Sequence, residues 1–159
     1  MRGLLLLLPL LAACSLTLEV VYPGHRISGL ATQTTYCASG TTRVDYRFFL
    51  EGRLDRLVFY WLPEGVSPER ALPEERALLQ GPLYGGVVQG WVEVTPEGAI
   101  QAVSALSPQG GVGVQGIGVE PSLPPRRLWL QGFTGGLAGP YVAGNAVDPD
   151  ATPSCDPAW

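Results

Sequence analysis

The chain has 159 residues, a formal net charge of −4 and ten basic residues that are all arginine. An acidic chain without basic clusters argues against nucleic-acid binding, and the absence of lysine excludes Schiff-base, Ser-Lys and P-loop chemistry. The length suits one domain with a core of its own.

The first segment has the layout of an export signal. Arg2 is followed by an apolar run over residues 4–11 and then by the small residues Ala12 and Ala13. This is the arrangement of a cleavable signal. A membrane-spanning helix needs about 20 apolar residues, more than this run has. Residues 1–13 are therefore predicted to be a signal peptide.

The quartet Leu11-Ala12-Ala13-Cys14 resembles the lipobox of bacterial lipoproteins. The resemblance implies cleavage before Cys14 and a lipid on its thiol, and two or more acyl chains anchor a protein stably. In that family, Ser15 after the cysteine points to the outer membrane where the host has two membranes. The alternative is an ordinary secretory signal cut after Ala13. We expect residues 14–17 to be a short tether and residues 18–159 a single domain held close to the membrane.

Two further cysteines, Cys37 and Cys155, form an even pair in a chain expected to be exported. Exported proteins sit in an oxidising space, so the pair is predicted to form a disulfide. It would tie the C-terminal tail to an early strand. The alternative is two free thiols.

Residues 42–62 carry the clearest fold signal, after shorter strands predicted over 18–22 and 27–37. Val44, Tyr46, Phe48 and Leu50 alternate with largely polar residues, a pattern typical of a half-buried strand. A turn is expected at 51–53. Residues 54–62 are apolar on both faces, which predicts a covered central strand. The two predicted strands over 42–50 and 54–62 are rich in aromatic residues, and such a pair is loosely similar to immunoglobulin-like and fibronectin-type domains in architecture. The immunoglobulin Cys-Trp-Cys spacing is absent.

The stretch from 63 to 83 is long for a connection between strands. It predicts one short helix over about 73–80, either as a cap over one end of the core or as a partner-binding loop. Further strands are expected over 87–95, 99–106, 112–119, 127–133 and 141–147, with a hairpin turn at 96–98. The fold class is thus all-β, an antiparallel β-sandwich-like single domain with one short helix, preceded by the apolar signal segment.

Catalytic sets are hard to assemble from this sequence. His25 is the only histidine, so a Ser-His-acid site would need it, with Ser28 as one possible nucleophile. Its position after Pro23-Gly24 favours a solvent-facing turn instead. A G-x-G-x-x-G match over 111–116 precedes a proline-rich stretch rather than the helix that a dinucleotide site needs.

Carboxylates offer two weaker possibilities. Paired acids could hydrolyse a glycosidic bond, with candidates Glu51, Asp55, Glu93 and Glu97. In the tail, Asp148, Asp150 and Asp156, with Asn145 nearby, are weak candidates for a calcium site, but they lack the glycine turn and distal glutamate of a helix-loop-helix site. We predict no metal, cofactor or catalytic residue.

An aromatic surface is the remaining candidate for binding. Phe49, Tyr60, Trp91, Trp129 and Tyr141 could face a ligand or partner, although core positions suit most of them better. The first hypothesis is an exported, lipid-anchored and non-enzymatic binding or structural accessory of the cell envelope. Its partners would be the membrane, through the lipid on Cys14, and envelope proteins. The alternatives are a small-ligand or carbohydrate-binding module and an extracytoplasmic hydrolase.

Overall fold

The computed structural model describes residues 24–37, 40–105 and 124–150, except for the side chain of residue 150. They form seven strands: β1 (His25–Thr32), β2 (Thr35–Cys37), β3 (Thr42–Pro63), β4 (Arg76–Val94), β5 (Ile100–Ser104), β6 (Arg126–Thr134) and β7 (Leu137–Asp150). The all-β prediction is confirmed. The predicted signal segment, tether, first strand over 18–22 and strand over 112–119 lie outside the described residues.

The strands follow the order β2-β7-β6-β3-β4-β5, and β1 pairs with β3. β4 pairs along one side of β3, while β1 and β6 share the other side: β1 beside Tyr46–Gly52 and β6 beside Arg56–Pro63. All pairs are antiparallel except β2 with β7, which is parallel, so the expectation of purely antiparallel pairing was wrong there. The two-layer sandwich stays a prediction.

β3 is one strand of 22 residues, and the turn predicted at 51–53 was wrong. Gly52 has a φ of 81°, and the register with β4 shifts between Leu50 and Arg53. The glycine therefore absorbs an extra residue as a bulge, since a positive φ costs glycine little. β3 continues because β4 pairs with it on both sides of the bulge.

The alternation predicted for β3 is confirmed, but the inward positions change along the strand. Val44, Tyr46, Phe48 and Leu50 are buried in the first half, and the inward series of the second half is Leu57, Phe59 and Trp61. Both series belong to one core cluster, which also takes side chains from β1, β2, β4, β6 and β7. Tyr60 and Leu62, on the opposite face, are also buried, as expected of a covered central strand.

The helix predicted over 73–80 was wrong. The described residues have two 3-10 turns, Pro68–Arg70 and Pro73–Glu75; only the second falls in this range, and β4 begins at Arg76. Backbone pairing with β3 takes up the N–H and C=O groups of residues 76–80 that point towards β3, and Leu79 packs against the core. A helix this short is marginal by itself, so pairing decides the outcome. Within the described ranges, no helix is long and apolar enough to cross a bilayer.

Residues 64–75, between β3 and β4, form a cap. Pro68 and Glu75 are buried, and Glu75 Oε2 lies 3.6 Å from Arg126 Nη1 at the start of β6. Arg126 Nη1 also donates to the Trp61 carbonyl at 3.2 Å. Of the two interpretations of this stretch, the burial of these residues supports the cap.

Candidate functional site

The outer face of the sheet, opposite the core, carries large apolar side chains in contact with solvent. Phe49 is 52% exposed, Tyr84 67% and Val87 55%. Phe49 lies opposite Val87 across β3 and β4, and Arg53 lies opposite Tyr84. We call Phe49, Tyr84 and Val87 the outer patch. Apolar side chains clustered on a surface mark interaction sites more often than scattered ones do.

Local packing holds the outer patch in place. The Phe49 ring lies over Gly29 of β1, where an added Cβ would be 3.2 Å from the ring. Gly29 has a φ of 64° and occupies the register shift between Ser28 and Ala31. The Arg53 guanidinium lies 5.9 Å from the Tyr84 ring centre. The sequence therefore provides a glycine where β1 passes beneath the exposed ring.

A second group, which we call the aromatic cluster, consists of Tyr60, Trp129 and Tyr141. Tyr60 lies opposite Trp129 across β3 and β6, and the Tyr60 and Tyr141 rings are 5.8 Å apart in an edge-to-face arrangement. Burial raises the pKa of the Tyr60 phenol, and Tyr141 adds to the rise. Trp129 and Tyr141 are half-buried, so this cluster is partly open to solvent.

The fifth predicted aromatic, Trp91, is covered by a charged neighbour. The Arg43 guanidinium lies 4.1 Å from its ring centre, and Arg43 Nε is 3.8 Å from Glu93. Asp45, opposite Trp91 in the register, has its pKa raised by burial to about 6, against the opposing effect of Arg43. The five aromatic candidates thus divide among three places on the sheet and do not form one surface.

His25 is buried, so the expectation of a solvent-facing turn was wrong. It opens β1, and its Nδ1 lies 2.7 Å from Thr134 Oγ1. The Thr134 hydroxyl donates to the Arg53 carbonyl, so Nδ1 is the donor to Thr134. Burial lowers the pKa of the imidazole. Ser28 is exposed on the opposite side of β1, so the structure does not bring these two residues together.

Glu51 and Glu93, two of the four predicted carboxylates, lie far apart. Glu51 lies opposite Arg26, and Glu93 lies opposite Arg43, eight residues from Glu51 along β3. That separation is about 26 Å at the rise of a strand, whereas glycosidase carboxylates lie within about 10 Å.

Of the other two candidate acids, Asp55 lies within β3 and Glu97 lies in a turn. Asp55 accepts a hydrogen bond from Gly135 N at 2.6 Å and pairs with Arg53 at 3.4 Å. Glu97 is exposed in the hairpin turn before β5.

In the tail, Asp148 is exposed on β7, and its backbone N–H donates to the Thr34 carbonyl. The Asp150 side chain and Asp156 lie outside the described residues. Among residues 24–37, 40–105 and 124–150, no group of three acidic, histidine or cysteine side chains could hold a metal ion.

The cysteine predictions fall largely beyond the described residues, which include neither Cys14 nor Cys155. Cys37 is buried at the end of β2, and its N–H donates to Thr42 Oγ1 at 2.8 Å. The parallel register places Asp150 opposite Cys37. The Cys37–Cys155 disulfide stays a prediction.

Sequence reasoning missed the buried pair of Arg126 and Glu75. One signal was available, since Arg126 occupies the inward phase of β6, which continues with Leu128 and Leu130. It also missed the tight β6–β7 hairpin at Gly135 and Gly136, which have φ values of 58° and 79°. A Gly-Gly pair between two strands is a recognised hairpin signal.

These features define an all-β protein with a capped core and an outer sheet face that is apolar at two places. Comparisons with protein-family models, curated proteins and solved structures found no match.

Proposed function

We propose that this chain is an exported, lipid-anchored protein that serves as a non-enzymatic binding or structural accessory of the cell envelope. Two features support the proposal. The first is the lipobox-like quartet ending at Cys14. The second, which carries the binding role, is the set of large apolar side chains on the outer face: the outer patch and Leu78, which is 47% exposed.

The anchor is tested by the intact mass of the protein extracted from its own membranes. We expect the mass of residues 14–159 plus acyl groups, with the protein in the membrane fraction. A Cys14→Ser variant should lose the acyl mass and leave that fraction. An unlipidated parent would contradict the proposal, because the domain would then diffuse freely.

The binding role is tested by a photo-crosslinking residue at position 78 of the acylated protein in its own cells. Leu78 lies opposite Val58 on the outer face, one strand from the aromatic cluster. We expect adducts to an envelope protein at position 78. Position 137, 43% exposed beside the β6–β7 hairpin, is the matched control. Equal labelling at both positions, or none at 78, would count against an accessory role of this face.

The aromatic cluster favours a second candidate, a carbohydrate-binding module. Half-buried Trp129 and Tyr141 lie on neighbouring strands and offer ring surfaces against which a sugar could pack. Titration calorimetry with soluble envelope glycans would separate the candidates. Binding that is lost in Trp129→Ala but kept in Phe49→Ala would favour the carbohydrate module. No heat with any glycan leaves the accessory role as the better account.

A further inference from the structure

The described chain begins beside the outer patch. The Gly24 carbonyl accepts a hydrogen bond from Arg53 N at 3.2 Å, and His25 lies opposite Gly52. Arg53 in turn lies opposite Tyr84 of the outer patch. The strand that leads back towards the predicted lipid on Cys14 therefore starts about two strand spacings from Tyr84, or about 10 Å.

The chain between Cys14 and Gly24 limits how far the outer patch can lie from the bilayer. Ten residues span at most about 36 Å whatever their conformation. A domain held this closely meets the surface at a high effective concentration, so a weak contact suffices to orient it. Two exposed apolar side chains lie near the start of the described chain: Tyr84 of the outer patch, and Leu137, which lies opposite Thr134.

The chemistry of the outer patch suits the boundary between lipid chains and headgroups. Phe49 and Val87 are apolar, while Tyr84 combines an apolar ring with a polar hydroxyl, as interfacial side chains do. The flanking charges comprise Arg26, Arg47 and Arg53 against two carboxylates, Glu51 and Asp55. Arginines are attracted to anionic headgroups, and this positive excess stands out in a chain whose net charge is −4.

We propose that the outer patch is the surface on which the domain rests on the lipid bilayer, so that Phe49, Tyr84 and Val87 insert at the boundary between the headgroups and the acyl chains. This inference rests on the lipid anchor of the proposed function. The proposal places β3 and β4 at an angle to the bilayer, so that Leu78 and the aromatic cluster, towards the far end of β3, lie away from the lipid. Val58, opposite Leu78, is nine residues from Phe49, about 30 Å along the strand.

The test uses the acylated mature protein, residues 14–159, with Phe49→Trp, reconstituted into phosphatidylcholine and phosphatidylglycerol vesicles whose acyl chains carry bromine. Bromine on the acyl chains quenches a tryptophan only when the tryptophan ring lies next to those chains. The emission of interest is that of the tryptophan added at position 49. We expect brominated lipid to quench most of this emission and acrylamide, which is dissolved in the water, to quench little of it. Leu78→Trp is the matched control, on the same face with similar exposure, and its added emission should be quenched by acrylamide and not by bromine.

Three outcomes would overturn the proposal in a protein whose mass shows the acyl groups. Added emission at position 49 that is quenched by acrylamide alone would mean that the outer patch faces water. Emission protected from both quenchers would mean that protein, such as a second copy of the chain, covers it. Equal bromine quenching at 49 and 78 would mean that no part of the face is preferred. A parent mass without acyl groups would instead remove the anchor and the proposed function with it. Thermal unfolding of both variants, compared with the parent, confirms that each is folded.

Discussion

Two neighbouring arginines show how burial changes the value of an ion pair. Arg126 and Glu75 have side chains that are 7% and 11% exposed, while those of Arg127 and Glu64 are 33% and 46% exposed. Both acids lie between β3 and β4, and both arginines begin β6. Removing one partner of a buried pair leaves the other charge unpaired and away from water. An exposed charge that loses its partner is hydrated again.

We therefore expect Glu75→Gln to lower the free energy of unfolding by about 3 kcal/mol. Glu64→Gln, the matched control, should lower it by less than about 1 kcal/mol, although its pair with Arg127 is shorter. Urea unfolding of both variants and the parent measures the two losses. Similar losses would show that the Glu75 contact does not hold the cap on the core.

Asp45 introduces a pH dependence of stability. Burial raises its pKa from 3.8 to about 6 in the folded protein, so the folded state holds the proton more tightly than the unfolded state does. The stability that this proton contributes is present below pH 3.8 and is lost as the pH rises through about 6.

Asp45→Asn should remove that loss. Above pH 6, we expect the variant to be more stable than the parent by about 1 kcal/mol, a value reduced for the partial exposure of the carboxyl group. As the pH falls from about 6 towards 3.8, the gain in the free energy of unfolding of Asp45→Asn over the parent should shrink. Urea unfolding at several pH values measures the difference, with the exposed Asp148→Asn as the control for losing a negative charge. An advantage that does not change with pH would contradict the proposed origin.

At the scale of the element, β3 depends on Gly52. An added Cβ there would overlap the Gly24 carbonyl, whereas one at Gly65 would meet nothing within 4 Å. The two glycines have nearly the same φ, 81° and 84°. Alanine substitutions at the two glycines therefore distinguish two costs. One is the backbone cost of a side chain at positive φ, and the other is the cost of disturbing the contact between β1 and β3.

Gly65→Ala should cost about 1 kcal/mol, the usual penalty for alanine at such a φ. Gly52→Ala should cost more, because it also disturbs the hydrogen bond from Arg53 N to the Gly24 carbonyl. Denaturant unfolding gives both values, and hydrogen exchange should show loss of protection across β1 only in Gly52→Ala. Equal costs would mean that the Gly24 contact does not hold the start of β1.

At the scale of the whole molecule, β2 and β7 bring an early strand next to the last strand described. Their parallel pairing places residue 150 opposite Cys37, and the five residues from there to Cys155 reach at most about 18 Å. The predicted disulfide would therefore close nearly the whole domain into a loop of about 118 residues, for which chain-entropy models predict a stabilisation of about 4–5 kcal/mol.

We expect the parent to resist alkylation at Cys37 and Cys155 unless it is first reduced. Cys155→Ser should lower the free energy of unfolding by about 4 kcal/mol. Cys14→Ser, which changes a cysteine outside the loop, is the control and should leave the stability of the domain unchanged. Alkylation of both thiols without reduction would refute the disulfide and free them for other chemistry.

The sequence by itself determined the features that depend on local period and turn chemistry. These are the all-β class, the inward series of β3, the hairpin turn at 96–98 and the separate strands around it. The alternation of polar and apolar residues indicates which side chains are buried, and it can be recognised from a few neighbouring residues.

Tertiary structure decided the features that depend on distant partners. The chain continues through 51–53 because β4 pairs on both sides of the bulge, and residues 76–80 extend because β3 takes their hydrogen bonds. His25 is buried by Thr134, 109 residues away, and Arg126 pairs with Glu75 across the cap. The outer patch joins residues of β3 and β4 that lie 35 or more positions apart, so only the pairing of the two strands could reveal it.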